Sequence, residues 1–377
     1  VSPARQYAVL VAGGGVAGIS TALALAREGM SVCVLERTRY EQWRPGETLS
    51  PLAHAELSRL GVSLSERGED FIPSHGIEAA WGSEQPRFHS FITNPYGEGW
   101  HVDRQRLDAL LARQAEAHGV PLLRLTSAMK LEREQGRWRV HAQTASGEVE
   151  LTCEAVVDAT GRASSVARQC GARRYRVDAL CSVSAVLEQP EGMAQTLLVE
   201  STPLGWWYAA PLPGRRVIVS LLSDTDLLTR AGALRPAGWC ALLSATRHLQ
   251  ARVGTPPESL LFHIRPCETS SLERSGGERW VAVGDAASGL DPLSSGGILK
   301  ALRSGRQAAE ALRSALGGDD TAIPRYAEAQ SSGFTQYLTA RLGHYATEQR
   351  WPDAPFWQRR MEASAASAKL QTERAIP

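Results

Sequence analysis

A chain of 377 residues, 43% hydrophobic and 21% charged, is long enough for about two domains and has the balance of a globular protein rather than a fibrous or disordered one. Its net charge of +1 provides no long-range field for nucleic acid, so no nucleic-acid partner is expected and recognition falls to shape and local chemistry. Six cysteines without C-x-x-C spacing, no charged leader before an apolar core and no run of about 18 apolar residues point to a reduced, cytoplasmic chain with no zinc site and no membrane span.

Residues 7–12 read as a short apolar strand that runs into Gly13-Gly14-Gly15-Val16-Ala17-Gly18 and then a helix over 19–28, which Gly29 ends. Residues 31–35 form the next strand, with Glu36 at its end and Arg37 beside it. Strand, glycine turn, helix, strand and acid in that order are the dinucleotide fingerprint in the context it requires. Gly13 permits the tight turn, Gly15 lets a pyrophosphate approach the backbone, and Gly18 allows the helix to pack on the strand. Glu36 is placed to accept hydrogen bonds from an adenosine ribose. FAD and NAD share this fingerprint, which alone does not choose between them.

Arg44-Pro45-Gly46-Glu47 follows, then Phe71-Ile72-Pro73-Ser74-His75-Gly76-Ile77, a stretch without lysine. Asp103 stands as an N-cap before a helix over 104–118, and Arg44 and Arg104 carry guanidinium groups suited to phosphate or carbonyl oxygens. Residues 155–162 are an apolar strand ending in Asp158-Ala159-Thr160-Gly161. From 173 to 266 the texture changes to alternating or apolar runs such as 182–188, 196–200 and 217–222, separated by Pro- and Gly-bearing turns, which predicts an antiparallel sheet. Within it, Gly205-Trp206-Trp207-Tyr208-Ala209-Ala210-Pro211 sets three large aromatics before a proline, either core packing or an aromatic lid over a ligand.

Residues 280–283 are a buried strand and 298–316 a helix, joined by a loop that begins Gly284-Asp285, passes Pro292 and ends Gly296-Gly297. The N–H groups at Gly296, Gly297 and Ile298 start that helix and favour electron-rich oxygens. Pro292 fixes one wall of the same loop. Residues 337–361 are dense in aromatics and arginines, and Ala363 to Ala368 is a small-residue tail. The nine histidines show neither metal-ligand spacing nor a serine-hydrolase context, so no metal is expected; His75 and His101 are candidates for proton transfer.

G-x-G-x-x-G near the start, D-x-x-G at Asp158 and G-D-x(6)-P at Asp285, together with R-x-G-E at Arg44 and D-R-x-x-L-D at Asp103, resemble the FAD-dependent aromatic hydroxylases and the flavin-dependent halogenases. The resemblance covers most of the chain. It implies an α/β fold: a Rossmann-like FAD-binding domain (residues 1–72, 101–172 and 268–325), an inserted antiparallel-sheet substrate domain (73–100 and 173–267) and a helical C-terminal segment (326–377). It implies FAD held by Gly13, Gly15, Val16, Ala17, Gly18, Glu36, Arg37, Arg44, Glu47, Arg104, Asp158, Gly161, Asp285, Pro292, Gly296, Gly297 and Ile298, with Asp285 near the ribityl chain. Reducing equivalents come from NAD(P)H or reduced flavin, with a separate reductase as one source, and O2 reacts through a flavin C4a-hydroperoxide to hydroxylate an electron-rich ring.

Tryptophan halogenases add a W-x-W-x-I-P motif and a lysine that carries activated chlorine. Here Tyr208 and Ala210 replace the second Trp and the Ile, and residues 71–77 lack lysine, which argues against halogenation. The C-terminal aromatic and arginine segment resembles that of bacterial flavoproteins that oxygenate a tryptophan of a partner polypeptide during cysteine tryptophylquinone maturation. That likeness implies a polypeptide partner, with Trp206, Trp207 and Tyr208 at the substrate and residues 351–360, Trp357 included, near its docking path where they are exposed; the other reading of the segment is a cap packed on the body. Tyr208 joins the two histidines as a candidate catalytic side chain. A small-molecule hydroxylase, epoxidase or halogenase-like enzyme is the alternative, and a flavin-binding assembly factor is the alternative of another class.

Overall fold

The computed structural model describes residues 5–64, 70–257 and 259–362; the small-residue tail at 363–368 lies outside them. Two compact units share the chain. The first comprises Val1–Asp70, Val102–Val177 and Thr269–Phe334, and the second Phe71–His101, Asp178–Glu268 and Thr335–Pro377.

The first unit is α/β. Strand Arg5–Ala12 pairs in parallel with Val32–Glu36 on one side and Gly147–Asp158 on the other, and Trp280–Ala282 continues the parallel array beyond Gly147–Asp158. All five residues of Val32–Glu36 are buried, the pattern of a parallel strand covered on both faces. Register places Ala12 beside both Leu35 and Asp158, and Asp158 beside Ala282. The four strands therefore end at one edge, where each feeds a loop, and such an edge is where open parallel sheets bind ligands. One core cluster joins Leu10, Cys33, Val156 and Trp280 from these strands. The helices Val16–Arg27 and Gly297–Leu316 lie close together: a Cβ at Gly305 would stand 2.6 Å from the Ala17 carbonyl oxygen.

The second unit is built on a seven-stranded sheet in the order Phe262–Pro266, Leu180–Glu188, Arg216–Asp224, Gly205–Leu212, Leu197–Thr202, Gly76–Ala80 and Arg87–Ser90. Its neighbours are antiparallel except for Leu197–Thr202 against Gly76–Ala80. Trp207 and Trp239 meet in its core at 5.2 Å between ring centroids.

The C-terminal segment expected over 326–377 does not stand apart. Helix Ala322–Ala346 begins among residues of the first unit and ends among those of the second, and residues 347–362 after it belong to the second unit. Trp357 donates its indole N–H to the Thr202 carbonyl at 2.9 Å and is 2% exposed. Trp206 does the same to the Tyr345 hydroxyl at 3.1 Å. Of the two readings of the C-terminal segment, the packed cap holds at Trp357, and the placement of Trp206 and Trp207 along a docking path is corrected with it: all three are buried, because large rings gain more from the core than from the surface.

Candidate functional site

The strand ends of the first unit gather the glycine turn, Glu36, the Asp158–Gly161 turn and the Gly284–Asp285 loop at one edge. In the glycine turn the backbone is crowded from below. A Cβ on Gly18 would fall 1.9 Å from the Gly13 carbonyl oxygen, so the helix sits directly on the turn. Gly15 differs, since a Cβ there would meet only Arg44 Nη1, at 3.7 Å. The protein leaves that face open at the start of a 12-residue helix, the place a phosphate occupies when bound by backbone N–H groups.

Glu36 is buried at the end of its strand. Its Oε2 accepts the Gly14 N–H at 2.9 Å and its Oε1 accepts from Thr38 N and Oγ1 at 2.9 and 2.6 Å. Arg44 links this acid to a second one, with Nη2 3.2 Å from Glu36 and Nη1 3.0 Å from Asp108. Arg104 reaches the same Asp108 at 3.1 Å and donates to the Pro45 carbonyl at 2.6 Å. Asp108 is thus the buried acid that holds both arginines over the turn, a role that only the fold reveals. Tyr40, unmarked in sequence, donates its hydroxyl to the Gly14 carbonyl at 2.9 Å. Burial, Glu36 and Asp108 together raise its pKa far above the ordinary phenol value. Glu47 is buried beside this group, with its carbonyl accepting from Val102 N at 2.7 Å, and Arg37 is exposed at the strand end.

Asp158 does not offer its carboxylate to a ligand. Oδ1 accepts from Thr160 N and Oγ1 and Oδ2 accepts from Ala167 N, with no solvent exposure. The acid shapes the turn at Gly161 rather than facing a cofactor, and burial raises its pKa.

The Gly284–Asp285 loop lies against the start of the first helix. At Gly284 φ is +55° and a Cβ would stand 2.7 Å from the Ala17 Cβ, so only glycine fits. Asp285 keeps 42% of its side chain exposed, with Lys300 Nζ 3.2 Å from Oδ1 and Arg162 Nε 3.7 Å from Oδ2. Burial would raise its pKa, but Lys300, Arg162 and Arg174 outweigh it and hold the carboxyl below its usual range. Pro292 starts a short 3-10 turn capped by Asp291, after which Gly296 and exposed Gly297 open the 20-residue helix. Open glycine faces at Gly15 and Gly297, a half-exposed acid and two helix starts at one sheet edge match the donors and acceptors that a flavin dinucleotide presents.

The candidate substrate-side residues belong to the second unit. Trp206 and Tyr208 share one face of their strand, 6.2 Å apart, whereas Trp207 points into the core against Trp239. Of the three, only Tyr208 retains partial exposure. His75 is exposed, 3.7 Å from Glu98. His101 is fully buried, and burial lowers its pKa to about 3. Burial and lowered basicity both count against the expected role in proton transfer, since such an imidazole is a weak base at neutral pH.

Among the described residues no group of three or more His, Cys, Asp or Glu side chains stands ready to hold a metal, and no helix is long and apolar enough to cross a membrane.

The family described as tryptophan halogenase matches residues 83–376, and that described as FAD dependent oxidoreductase matches residues 8–85. LodB of Marinomonas mediterranea, described as an FAD-dependent oxidoreductase, is 29% identical over 366 residues, covering 96% of this chain and 98% of its own. The tryptophan 2-halogenase of Chondromyces crocatus is 28% identical over 82% of this chain and 62% of its own. In three dimensions the flavin-dependent halogenase CmlS superposes with a TM-score of 0.85 at 22% identity, over 100% of this chain and 71% of its own. The peptidyl tryptophan dihydroxylase QhpG, essential for tryptophylquinone cofactor biogenesis, does so with a TM-score of 0.79 at 24% identity, over 94% and 79%. These last two likenesses establish the fold.

Proposed function

The chain belongs to the tryptophan halogenase family, and from that premise we propose that this FAD-dependent monooxygenase oxygenates rather than halogenates its aromatic acceptor, a tryptophan of a partner polypeptide. One observation carries the choice of oxygen over halogen. The lysines of the chain are Lys130, Lys300 and Lys369; none falls within 71–101 or 178–268, and Lys369, in the last stretch of the second unit, lies outside the described residues. Where halogenases are expected to place their amine, this chain has Ser74, whose hydroxyl is buried and bonds to no other group among the described residues. An alcohol cannot take up activated halogen as an amine does. The fold is shared both with halogenases such as CmlS and with the peptidyl tryptophan dihydroxylase QhpG, so the fold accommodates either reaction, and QhpG is the neighbour whose activity corresponds to this reading.

Bound FAD, reduced by NAD(P)H or a reductase and supplied with O2, provides the electrophilic oxygen. The work left to the chain is binding and electrostatics. In this reading Gly13, Gly15, Val16, Ala17 and Gly18 cradle the pyrophosphate, Glu36 takes the ribose, and Arg44 offsets the phosphate charge. Asp285 orients the ribityl chain, and the helix start at Gly296, Gly297 and Ile298 receives the electron-rich pyrimidine edge.

A polypeptide acceptor needs an exposed contact surface, and with the tryptophans buried it falls to other residues. Phe88, Ile92 and Tyr96 are 57%, 88% and 48% exposed, on the edge strand Arg87–Ser90 and the turn after it. An uncovered sheet edge with apolar side chains suits an extended peptide. The deciding experiment is mass spectrometry of a tryptophan-bearing partner polypeptide after incubation with enzyme, FAD, reductant and 18O2. Labelled oxygen on a partner tryptophan is the expected result. Efficient oxygenation of free aromatic metabolites with no partner present overturns the polypeptide assignment, and halogenated product in chloride or bromide overturns the choice of oxygen.

A further inference from the structure

The first unit uses arginine almost everywhere that it needs a cation, with Lys130 as its other lysine, yet a lysine stands at the loop read above as the flavin site. Lys300 lies in the first turn of Gly297–Leu316, its N–H bonded to the Gly296 carbonyl at 2.9 Å. Helical side chains lean back toward the N-terminus, and this one leans into the Gly284–Gly297 loop. Its ammonium contacts Asp285 Oδ1 at 3.2 Å and donates to the Ser288 carbonyl, with 18% of the side chain exposed. Arg162 approaches the other oxygen of Asp285, and Arg174 donates to the Asp285 and Ala286 carbonyls at 2.7 and 2.8 Å. The carboxylate therefore pairs with two cations, and a third holds the backbone beside it, at the start of a 20-residue helix. The local charge is net positive.

We infer that Lys300 is a positioning residue of the flavin site: its ammonium fixes the Asp285 carboxylate and leaves an excess of positive charge at the helix start that favours the reduced, more negative cofactor over the oxidised one. The inference rests on the flavin reading above and deepens it. Burial and the two arginines pull the lysine pKa down and Asp285 draws it back up, so the charge on the amine depends on the carboxylate it positions.

The test is the two-electron midpoint potential of bound FAD, measured by dye-coupled reduction, together with FAD affinity from apoprotein titration. Lys300→Met is expected to weaken binding of reduced relative to oxidised FAD about tenfold, equivalent to a fall of ~30 mV. Lys300→Arg, which keeps the charge, is expected to recover most of that difference. Asp285→Asn removes the opposing charge and is expected to move the potential upward. The opposite signs separate electrostatics from packing, since both substitutions would shift the potential the same way if the pair only stapled the loop. A potential unmoved by Lys300→Met with FAD bound, or same-sign shifts in the two variants, overturns the inference. If Lys300→Met does not fold, Lys300→Gln takes its place, with Lys300→Arg and Asp285→Asn carrying the sign comparison. Failure of the wild-type protein to bind FAD rejects the flavin reading itself, a separate outcome.

Discussion

Asp285 and Asp224 are both carboxylates held by basic side chains, and they meet opposite fates. Asp285 sits in a glycine-rich loop between a strand and a helix, with 42% of its side chain in solvent. Asp224 sits at the end of a sheet strand, where Arg360 grips both its oxygens at 2.8 and 3.1 Å and both side chains are almost wholly buried. Aromatic rings close over the second cluster: the Arg360 guanidinium lies 3.4 Å from the Phe356 centroid. At the first, glycines and a helix start leave a face open. The same ion-pair chemistry thus closes one region and leaves the other able to receive a ligand, and the exposure that open glycine faces leave decides which. A dense patch of Trp and Arg in a sequence signals a cap as readily as a docking surface.

The largest effect that sharpens this contrast is Trp357→Ala. Removing a buried indole that bonds to Thr202 should cost about 3–5 kcal/mol in urea unfolding. FAD content of the folded fraction should be unchanged. A loss below about 1 kcal/mol would mean that the segment is a loosely held surface after all.

Gly15→Val tests the other region. The backbone there is extended, with φ −73° and ψ −177°, and has room for a side chain, so apoprotein stability should be nearly unaffected. FAD affinity should fall on the order of 100-fold, about 2.7 kcal/mol. Equal affinity for FAD in the variant would remove the pyrophosphate from this turn.

Acid titration also separates the two regions. Glu348 is buried, which alone would raise its pKa, but bonds from Arg350, Ser201 and the Gly82 and Arg350 N–H groups lower it from 4.5 to about 2. A depressed carboxyl stabilises the fold above its unfolded pKa and loses that contribution as pH falls through the folded value. Between about pH 4.5 and 2 the Glu348 contribution, on the order of 2–3 kcal/mol, should therefore disappear. Asp224, held low by Arg360 and Arg359 against its burial, acts in the same direction. Glu348→Gln should flatten this acid limb; an unchanged limb would show that the pair does not hold the cap.

Asp285→Ala is expected to have a smaller effect on FAD binding, about 1.5 kcal/mol or somewhat more for a charge-assisted bond, read by fluorescence titration. Ile92→Asp is expected to have the smallest effect, weakening partner binding by about 1 kcal/mol at a single exposed contact while FAD binding stays as in the wild type. If neither variant alters its own ligand, the open loop and the uncovered edge are not binding surfaces.

The sequence by itself determined the backbone-driven parts of this protein. The turn from Gly13 to Gly18, the acid at Glu36 and the loop from Gly284 to Gly297 were legible because glycines at short fixed spacings and single charges at strand ends mark them within a short span, with conformation or close approach requiring glycine at Gly13, Gly18 and Gly284. The runs at 182–188 and 217–222 were legible as strands for a similar local reason, the first by the two-residue period of a sheet and the second by its nearly continuous apolar stretch. Only the tertiary structure decided where long side chains end. Asp158 turned inward because Thr160 and Ala167 supply three donors; Asp108 emerged as the anchor of Arg44 and Arg104; Lys300 reached back to Asp285. The burial of Trp206, Trp207 and Trp357 depended on the Tyr345 hydroxyl, the core around Trp239 and the Thr202 carbonyl, groups far apart in sequence from the rings they receive. An aromatic or arginine side chain spans several ångströms and finds its partner across the fold, whereas a glycine's constraint lies in its own φ and ψ.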